Sequence, residues 1–329
     1  MAKMIITSDF HLEAGIYVSI CIDYIDYLVN FAKQNNIKNI VIAGDIFEKS
    51  SKIKNEAFLP LFRKFQEIKL TTDINIVIVL GNHDVFNERN ESIVEAFSPF
   101  SKVVKDFETV EIDGVNVDML AYTKDTSKIP KQSDSKYLIT HLGIISFSFD
   151  NGYESTDKDF FSPELFSNYE LVFSGHLHRF QYKKNIVFQG SPYQTSTEEE
   201  GQEKGFVVLD TDKGWEFCQY KNAPEYLTVS AEQLIDGIDL HNKFVYVKIT
   251  EKVDNFVQLK HILYEKGAID VNPVFVKEDD DFDVLKEDID FKVNDNIEKL
   301  LEEHIKTISI EGIDNVRLLK ILQRVKEEL

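Results

Sequence analysis

Short apolar runs rich in β-branched residues alternate with amphipathic stretches through the first eighty residues. Met4–Ser8 reads as a first strand, Asn39–Ala43 as a second and Ile74–Leu80 as a third. Between them, residues 16–36 place Ile16, Ile20, Tyr24, Tyr27, Leu28 and Phe31 at helical spacing, and a second helical stretch covers about 55–69. Strand, helix, strand, helix, strand is the opening of a parallel α/β sheet. A short helix over Glu91–Phe97 follows. The pattern then turns to period two. Phe107–Ile112 and Val115–Leu120 flank Asp113-Gly114, a hairpin signal. Further strands are predicted at Lys136–Thr140, Leu171–Ser174, Ile186–Gln189, Gly205–Asp210 and Trp215–Tyr220. The second half of this region thus resembles a β-rich repeat of the first.

After Pro224 the character changes. Lys243–Thr250 and Val274–Lys277 read as strands with a helix at about 255–266 between them, a small αβ module. The acidic run Glu278–Asp283 reads as a solvated loop or linker. Helices are predicted at about 295–307 and 313–328. In the last, Ile313, Val316, Leu319, Leu322 and Val325 form one face that packs on its own domain or on a partner helix.

Each early strand ends in polar residues of chemical use. The first ends in Asp9-Phe10-His11, the second in Gly44-Asp45 and the third in Gly81-Asn82-His83-Asp84. Later strands end in His141-Leu142-Gly143 and Gly175-His176-Leu177-His178. Open α/β sheets place ligands beyond the carboxyl ends of their strands. Residues two apart on extended backbone face one way, so Asp9 with His11, and His176 with His178, can converge. Any one of these motifs alone also reads as a turn or a structural histidine. Their succession is the informative feature, because five of the eight histidines fall at strand ends or nearby turns before residue 180.

Composition narrows the class. At 329 residues the chain suits one large domain with an appendage, or two domains. With 43% hydrophobic and 29% charged residues it has the makeup of a soluble globular protein. No run approaches a membrane span, and the N-terminal apolar run is too short for a signal peptide. Cys21 and Cys218 have no metal spacing and are expected to be reduced core thiols of a cytoplasmic protein. Net charge is −20, and it is uneven: residues 1–195 carry 20 Lys/Arg against 26 Asp/Glu, residues 196–329 carry 17 against 31. An acidic chain grips nucleic acid poorly without metals, a local basic patch or a partner.

Taken together, Thr7-Ser8-Asp9-Phe10-His11-Leu12, Gly44-Asp45-Ile46-Phe47, Gly81-Asn82-His83-Asp84 and Ser174-Gly175-His176-Leu177-His178 resemble the calcineurin-like metallophosphoesterase superfamily over roughly residues 1–220. With Gln189–Gln194 and Glu203-Lys204-Gly205-Phe206 added, the chain is most similar to the SbcD and meiotic-recombination-eleven DNA repair nucleases, above all their bacteriophage members. The resemblance implies a four-layer α/β/β/α sandwich of two mixed sheets. The nuclease domain would occupy residues 1–224, a small αβ capping domain with its acidic linker 225–283, and a C-terminal helical partner-binding segment 284–329. It implies two divalent ions, Mn(II) foremost, with Fe and Zn also suited to imidazole, amide and carboxylate ligands. Asp45 would bridge them. Asp9, His11 and His178 would complete one shell, and Asn82, His141 and His176 the other. Paired metals polarise a phosphoryl group and activate a hydroxide for in-line attack. His83 would stabilise the transition state or protonate the leaving oxygen, and Asp84 would orient its ring. The expected function is metal-dependent DNA hydrolysis beside an SbcC-type ABC ATPase bound through the C-terminal helices, with a homodimer also compatible. Glu48 departs from the family, which often carries histidine three residues after the bridging aspartate, and so bears on substrate geometry. Two other readings remain: a phosphoesterase of the same superfamily acting on a nucleotide, protein or small phosphoester, and a non-catalytic scaffold.

Overall fold

The computed structural model describes residues 2–49, 52–87, 91–155, 160–230, 233–234, 237–249 and 256–275. The acidic run after residue 277 and both C-terminal helices predicted above lie outside these residues.

The opening alternation forms as predicted. Strand β1 (Lys3–Thr7), helix α1 (Ile16–Gln34), β2 (Asn39–Ala43), α2 (Asn55–Thr71) and β3 (Asn75–Val79) follow in order, with the three strands parallel. Their near-continuous apolar runs reflect burial on both faces. Helix α1 buries Ile20, Tyr24, Ile25 and Leu28, while Ile16 at its start stays exposed. The stretch at Glu91–Phe97 is only a 3-10 turn, Ile93–Phe97, capped by Ser92 and Glu95. A three-residue strand, β4 (Lys102–Val104), then pairs with β3. It is too short for its periodicity to announce it.

The hairpin β5 (Phe107–Ile112) and β6 (Val115–Leu120) matches its prediction, with Asp113 and Gly114 both at positive φ. Then come β7 (Tyr137–Thr140), β8 (Leu171–Ser174), β9 (Gln181–Lys183), β10 (Ile186–Phe188), β11 (Gly205–Asp210) and β12 (Gly214–Gln219). Two mixed six-stranded sheets result, ordered β12-β11-β1-β2-β3-β4 and β5-β6-β7-β8-β10-β9. In the first, β1 lies between β2 and the antiparallel β11, with Ile6 opposite Val207.

The main core packs helices and sheets together, and period two divides the second sheet. Ile139 and Phe173 face the first sheet, whereas their neighbours Leu138 and Val172 face outward. That outer face is covered, so the four-layer sandwich holds. Its fourth layer, however, is not helical among the described residues. It consists of loop segments and the 3-10 turn Pro163–Phe166, which bring Ile129, Phe147, Phe161 and Phe166 onto the sheet.

The small αβ module forms a three-stranded parallel sheet: β13 (Glu225–Ser230), β14 (Lys243–Ile249) and β15 (Asp270–Phe275), with α3 (Phe256–Glu265) before the last. Its own core holds Val229, Val245, Val247, Leu263 and Val271. Strand β13 was not predicted, and β15 begins earlier than its apolar pattern suggested. Cys21 is buried and Cys218 half-buried, and both are free thiols. No helix among the described residues is long and apolar enough to cross a membrane.

Phe97 is fully buried against the rings of Phe47, Phe58, Phe62 and Phe65. Phe97→Ala should therefore lower stability by about 3–5 kcal/mol, read by denaturant unfolding of the metal-free protein. A loss under about 1 kcal/mol would mean that the four neighbouring rings collapse into the space.

Candidate metal centre

Backbone strain marks the site before any side chain is considered. Asp9, His11, Asp45 and His176 all adopt positive φ, at 56°, 44°, 54° and 88°. Non-glycine residues rarely do so, and each such residue costs on the order of 1 kcal/mol or more unless its surroundings enforce it. The enforcement is visible. Asp9 N–H donates to the Gly44 carbonyl (2.9 Å) and His11 N–H to that of Asp45 (3.0 Å), so the loop after β1 is hydrogen-bonded along the loop after β2. Gly44 has φ 88°, and a Cβ there would collide with the His141 ring. Gly81 is needed for close approach, since a Cβ would strike the Asp45 carboxylate.

Asp84 binds this region together. Its Oδ2 accepts from the Gly81 N–H (2.9 Å) and the Asp45 N–H (2.8 Å), and its Oδ1 from the Ile46 N–H (2.9 Å). It therefore does not orient the His83 ring as expected from sequence. The reason is local: three buried amides at the ends of β2 and β3 need an acceptor, and Asp84 is the acid within reach. The His83 ring instead places Nδ1 on the Glu48 carbonyl, and its main-chain N–H donates to Asp45 Oδ1 (2.9 Å).

The seven predicted ligand residues converge. His11 Nε2 lies 3.0 Å from His178 Nε2, and both approach Asp9 Oδ1, at 3.9 and 4.0 Å. Asp45 Oδ2 stands 3.6 Å from His11 Nε2 and 3.1 Å from His141 Nε2, between the two groups. Asn82 Oδ1 sits 3.1 Å from His141 Nε2 and 2.9 Å from His176 Nδ1. Asp9 also accepts the main-chain N–H of His176 (3.0 Å), which ties the two sheets together. Asp9, Asp45 and His141 are buried, while His83 and His178 border an open cavity of about 440 Å³.

The calcineurin-like phosphoesterase family model matches residues 2–180. The chain belongs to that family. It is 25% identical over 303 residues to exonuclease subunit 1 of Enterobacteria phage T4, covering 87% of this chain and 86% of that protein. It is also 25% identical over 315 residues to the DNA double-strand break repair protein Mre11 of Nanoarchaeum equitans, covering 77% and 81%. Among solved structures, YfcE, a phosphoesterase from E. coli, matches with 14% identity and a TM-score of 0.32, over 64% of this chain and 89% of that one.

The donor set of this metallophosphoesterase fits divalent cations. His141 Nδ1 contacts the Ala43 carbonyl (2.7 Å), so a neutral ring carries its proton there and offers a lone pair at Nε2. That lone pair faces Asp45 Oδ2 and Asn82 Oδ1, both acceptors themselves. His11 has Nδ1 on Glu48 Oε2 (2.6 Å) and likewise turns Nε2 inward. Acceptors crowded onto one another in this way call for a cation or for extra protons. Without metal, protons serve. Burial opposes charge on His141, but Asp45 outweighs it and lifts its pKa to about 9. Burial opposes charge on His178 as well, and the hydrogen bond to Glu199 lifts it to about 9. His176 goes the other way, to about 4, through burial and the neighbouring His141 charge. Asp45, despite burial, is held well below the usual carboxylate range, first by His141. Burial and the Asp45 charge push Asp84 up to about 6.

Sequence reasoning missed three contributors. Glu48, noted only as a departure, contacts His11. Glu199 and Lys204 form a buried pair behind His178 (2.5 Å). They lie in and after the 3-10 turn Thr197–Glu199, where a run of glutamates carries no periodic signal.

A metal bound at the candidate centre through His141 and His178 would displace the protons they hold. Binding of a Mn(II) pair at pH 7 should release about two protons, and apparent affinity should weaken as pH falls below about 9. Calorimetry in buffers of different ionisation enthalpy measures this. Heat independent of buffer would show that the histidines are already neutral.

Proposed function

We propose that this phosphoesterase is a two-metal DNA phosphodiesterase, the nuclease subunit of a DNA repair and recombination assembly. The observation that carries the reading is the convergence of Asp9, His11, Asp45, Asn82, His141, His176 and His178 from both sheets onto one centre bordering the cavity. The similarity to an exonuclease subunit and to a double-strand break repair protein, over more than three quarters of each chain, supports DNA as the substrate.

Asp9, His11, Asp45 and His178 would hold one cation, and Asp45, Asn82, His141 and His176 the other. Mn(II) is the favoured ion for a site of imidazole, amide and carboxylate without thiolate. Two such cations polarise a phosphoryl group and supply the nucleophile. His83 is left free of ligation and lines the cavity. Its Nδ1 proton is committed to the Glu48 carbonyl, so acid catalysis would use a second proton at Nε2, delivered to the leaving oxygen. Glu48 acts here through His11, fixing its tautomer, rather than on the phosphate.

The cavity wall includes Glu13, Glu48, Asp150 and Glu199, which repel a phosphate backbone in the absence of cations. A cationic partner would compensate. We assign that role to an SbcC-type ATPase in the cytoplasm (that of the host cell if the chain is phage-encoded), bound through residues 284–329, with residues 1–224 as the nuclease domain and 225–283 as its cap. A homodimer fits the same assembly.

Wild-type protein with Mn(II) should digest linear duplex DNA. Asp45→Ala should abolish the activity, and His83→Ala should lower kcat by about 10²–10⁴-fold with Mn(II) still bound. Cleavage of an aryl phosphodiester but not of DNA would place the substrate elsewhere or make the partner obligatory. Two bound metals with no hydrolysis of either would favour a scaffold.

Deleting residues 295–329 should leave aryl phosphodiester hydrolysis intact and abolish association with the ATPase in pull-down. Loss of both together would make the tail part of the core.

A further inference from the structure

Behind His178 lies a buried ion pair that the reaction as described does not use. Glu199 is fully buried and Lys204 almost so. Such a pair is a poor stabilising device, because desolvation of both charges offsets much of their attraction. The contacts show what else it does. Glu199 Oε1 faces His178 Nδ1 at 3.3 Å and accepts from the Thr195 main-chain N–H (3.2 Å) and from the Thr195 hydroxyl. Its Oε2 meets Lys204 Nζ (2.5 Å) and the Ser191 hydroxyl (3.1 Å). Lys204 Nζ in turn donates to the main-chain carbonyl of His178 (2.8 Å) and to Ser191 Oγ (2.9 Å). One member of the pair therefore fixes the His178 ring and the other fixes its backbone. Asp150 Oδ2, at 3.8 Å from Nδ1, stands beyond hydrogen-bond distance.

We infer that Glu199 and Lys204 together are the positioning residues for His178, holding its Nε2 toward the cation site shared with Asp9 and His11. The inference rests on the two-metal reading above. A carboxylate on the far nitrogen of a ligating imidazole fixes its tautomer and raises its basicity, and losing one typically weakens binding 10–100-fold. The same arrangement recurs at His11 through Glu48, whereas His141 rests on a carbonyl. The two cation sites thus differ in what stands behind their histidines.

The strap that carries Glu199 is also anchored to the small module. Tyr226 N–H donates to Gln194 Oε1 (2.6 Å), the Tyr226 hydroxyl to the Thr195 carbonyl (3.1 Å), and Thr228 N–H to Glu200 Oε1 (2.9 Å). Seating of β13 therefore bears on the same turn that sets His178.

The test is a Mn(II) titration followed by calorimetry and electron paramagnetic resonance. It compares wild type with the double variant Glu199→Gln/Lys204→Met, which removes both charges together and leaves no lone buried ion. Thr195→Val, which keeps the pair and removes one hydroxyl, is the milder companion should the double variant misfold. The expected result is one of the two Mn(II) sites weakened at least about tenfold in the double variant. A spectrum of uncoupled ions should then appear at loadings where wild type shows a coupled pair. Thr195→Val should weaken the same site by less. Melting of the metal-free proteins should be little changed. Two ions bound with wild-type affinity and coupling in the folded double variant would overturn the positioning role alone, as would wild-type affinity in Thr195→Val were the double variant to misfold. A wild type that binds no pair of ions would overturn the two-metal reading and this inference with it.

Discussion

One carboxylate and three amides hold the centre together. Where β2 and β3 run out side by side, the main-chain N–H groups of Gly81, Asp45 and Ile46 are buried without a strand partner, and Asp84 accepts all three. An unpaired buried amide costs roughly 1–3 kcal/mol, so this capture is strongly favoured. It has a geometric result. With its amide fixed, Asp45 is held at positive φ, and its carboxylate stands between His141, His11 and the N–H of His83. Gly44 and Gly81 are the only residue type that permits the approach. The side chains of the candidate centre are thus presented by a backbone locked by its own hydrogen bonds, which is the preorganisation that a catalytic site requires.

The electrostatics follow from the same crowding. Asp45 and Asp84 lie close enough that the Asp45 charge raises the pKa of Asp84; Asp45 is held ionised in its buried place chiefly by His141, and Asp84 is supported first by the Gly81 main-chain N–H and then by the His141 charge. The buried histidines respond in opposite directions. His141 and His178 each face a carboxylate and retain protons, whereas His176 is buried beside a charged neighbour and gives its proton up. Exchange of protons for divalent ions at such a centre would avoid accumulating charge of one sign in a poorly solvated space.

The residues that meet at the candidate centre were legible in the sequence because each follows a strand whose apolar run is readable, and parallel pairing sets those ends side by side. Their supports were not legible. Glu199 stands between two other glutamates with no periodic pattern around it, and its burial is what sets it apart from Glu198 and Glu200. The role of Asp84 could not be read from its place next to His83, because a side chain reaching back to the main chain of another loop leaves no mark in local spacing. Strands β4 and β9 have three residues each, below the length at which alternation can be seen. Among the described residues, the outer cover of the second sheet is made of loops and a 3-10 turn in place of the expected helices, and these supply the apolar rings of Phe147, Phe161 and Phe166 without any period.

The pairing of β1 with β11 has a consequence for how the chain is made. Asp9 and His11 emerge from the ribosome at the end of a strand that must be covered on both edges. One edge is met soon by β2, but the other waits for Val207 and its neighbours, about two hundred residues later. Pairings so distant in sequence are slow to form, because long loops must close before any contact rewards them. Until then Met4, Ile5 and Ile6 present an apolar strand with an open edge, which other chains can join. Biosynthesis of this phosphoesterase thus carries a hazard of misassembly in the interval before residue 210 is translated, when all seven side chains of the candidate centre already exist but the strand that carries the first of them is still unpaired on one edge.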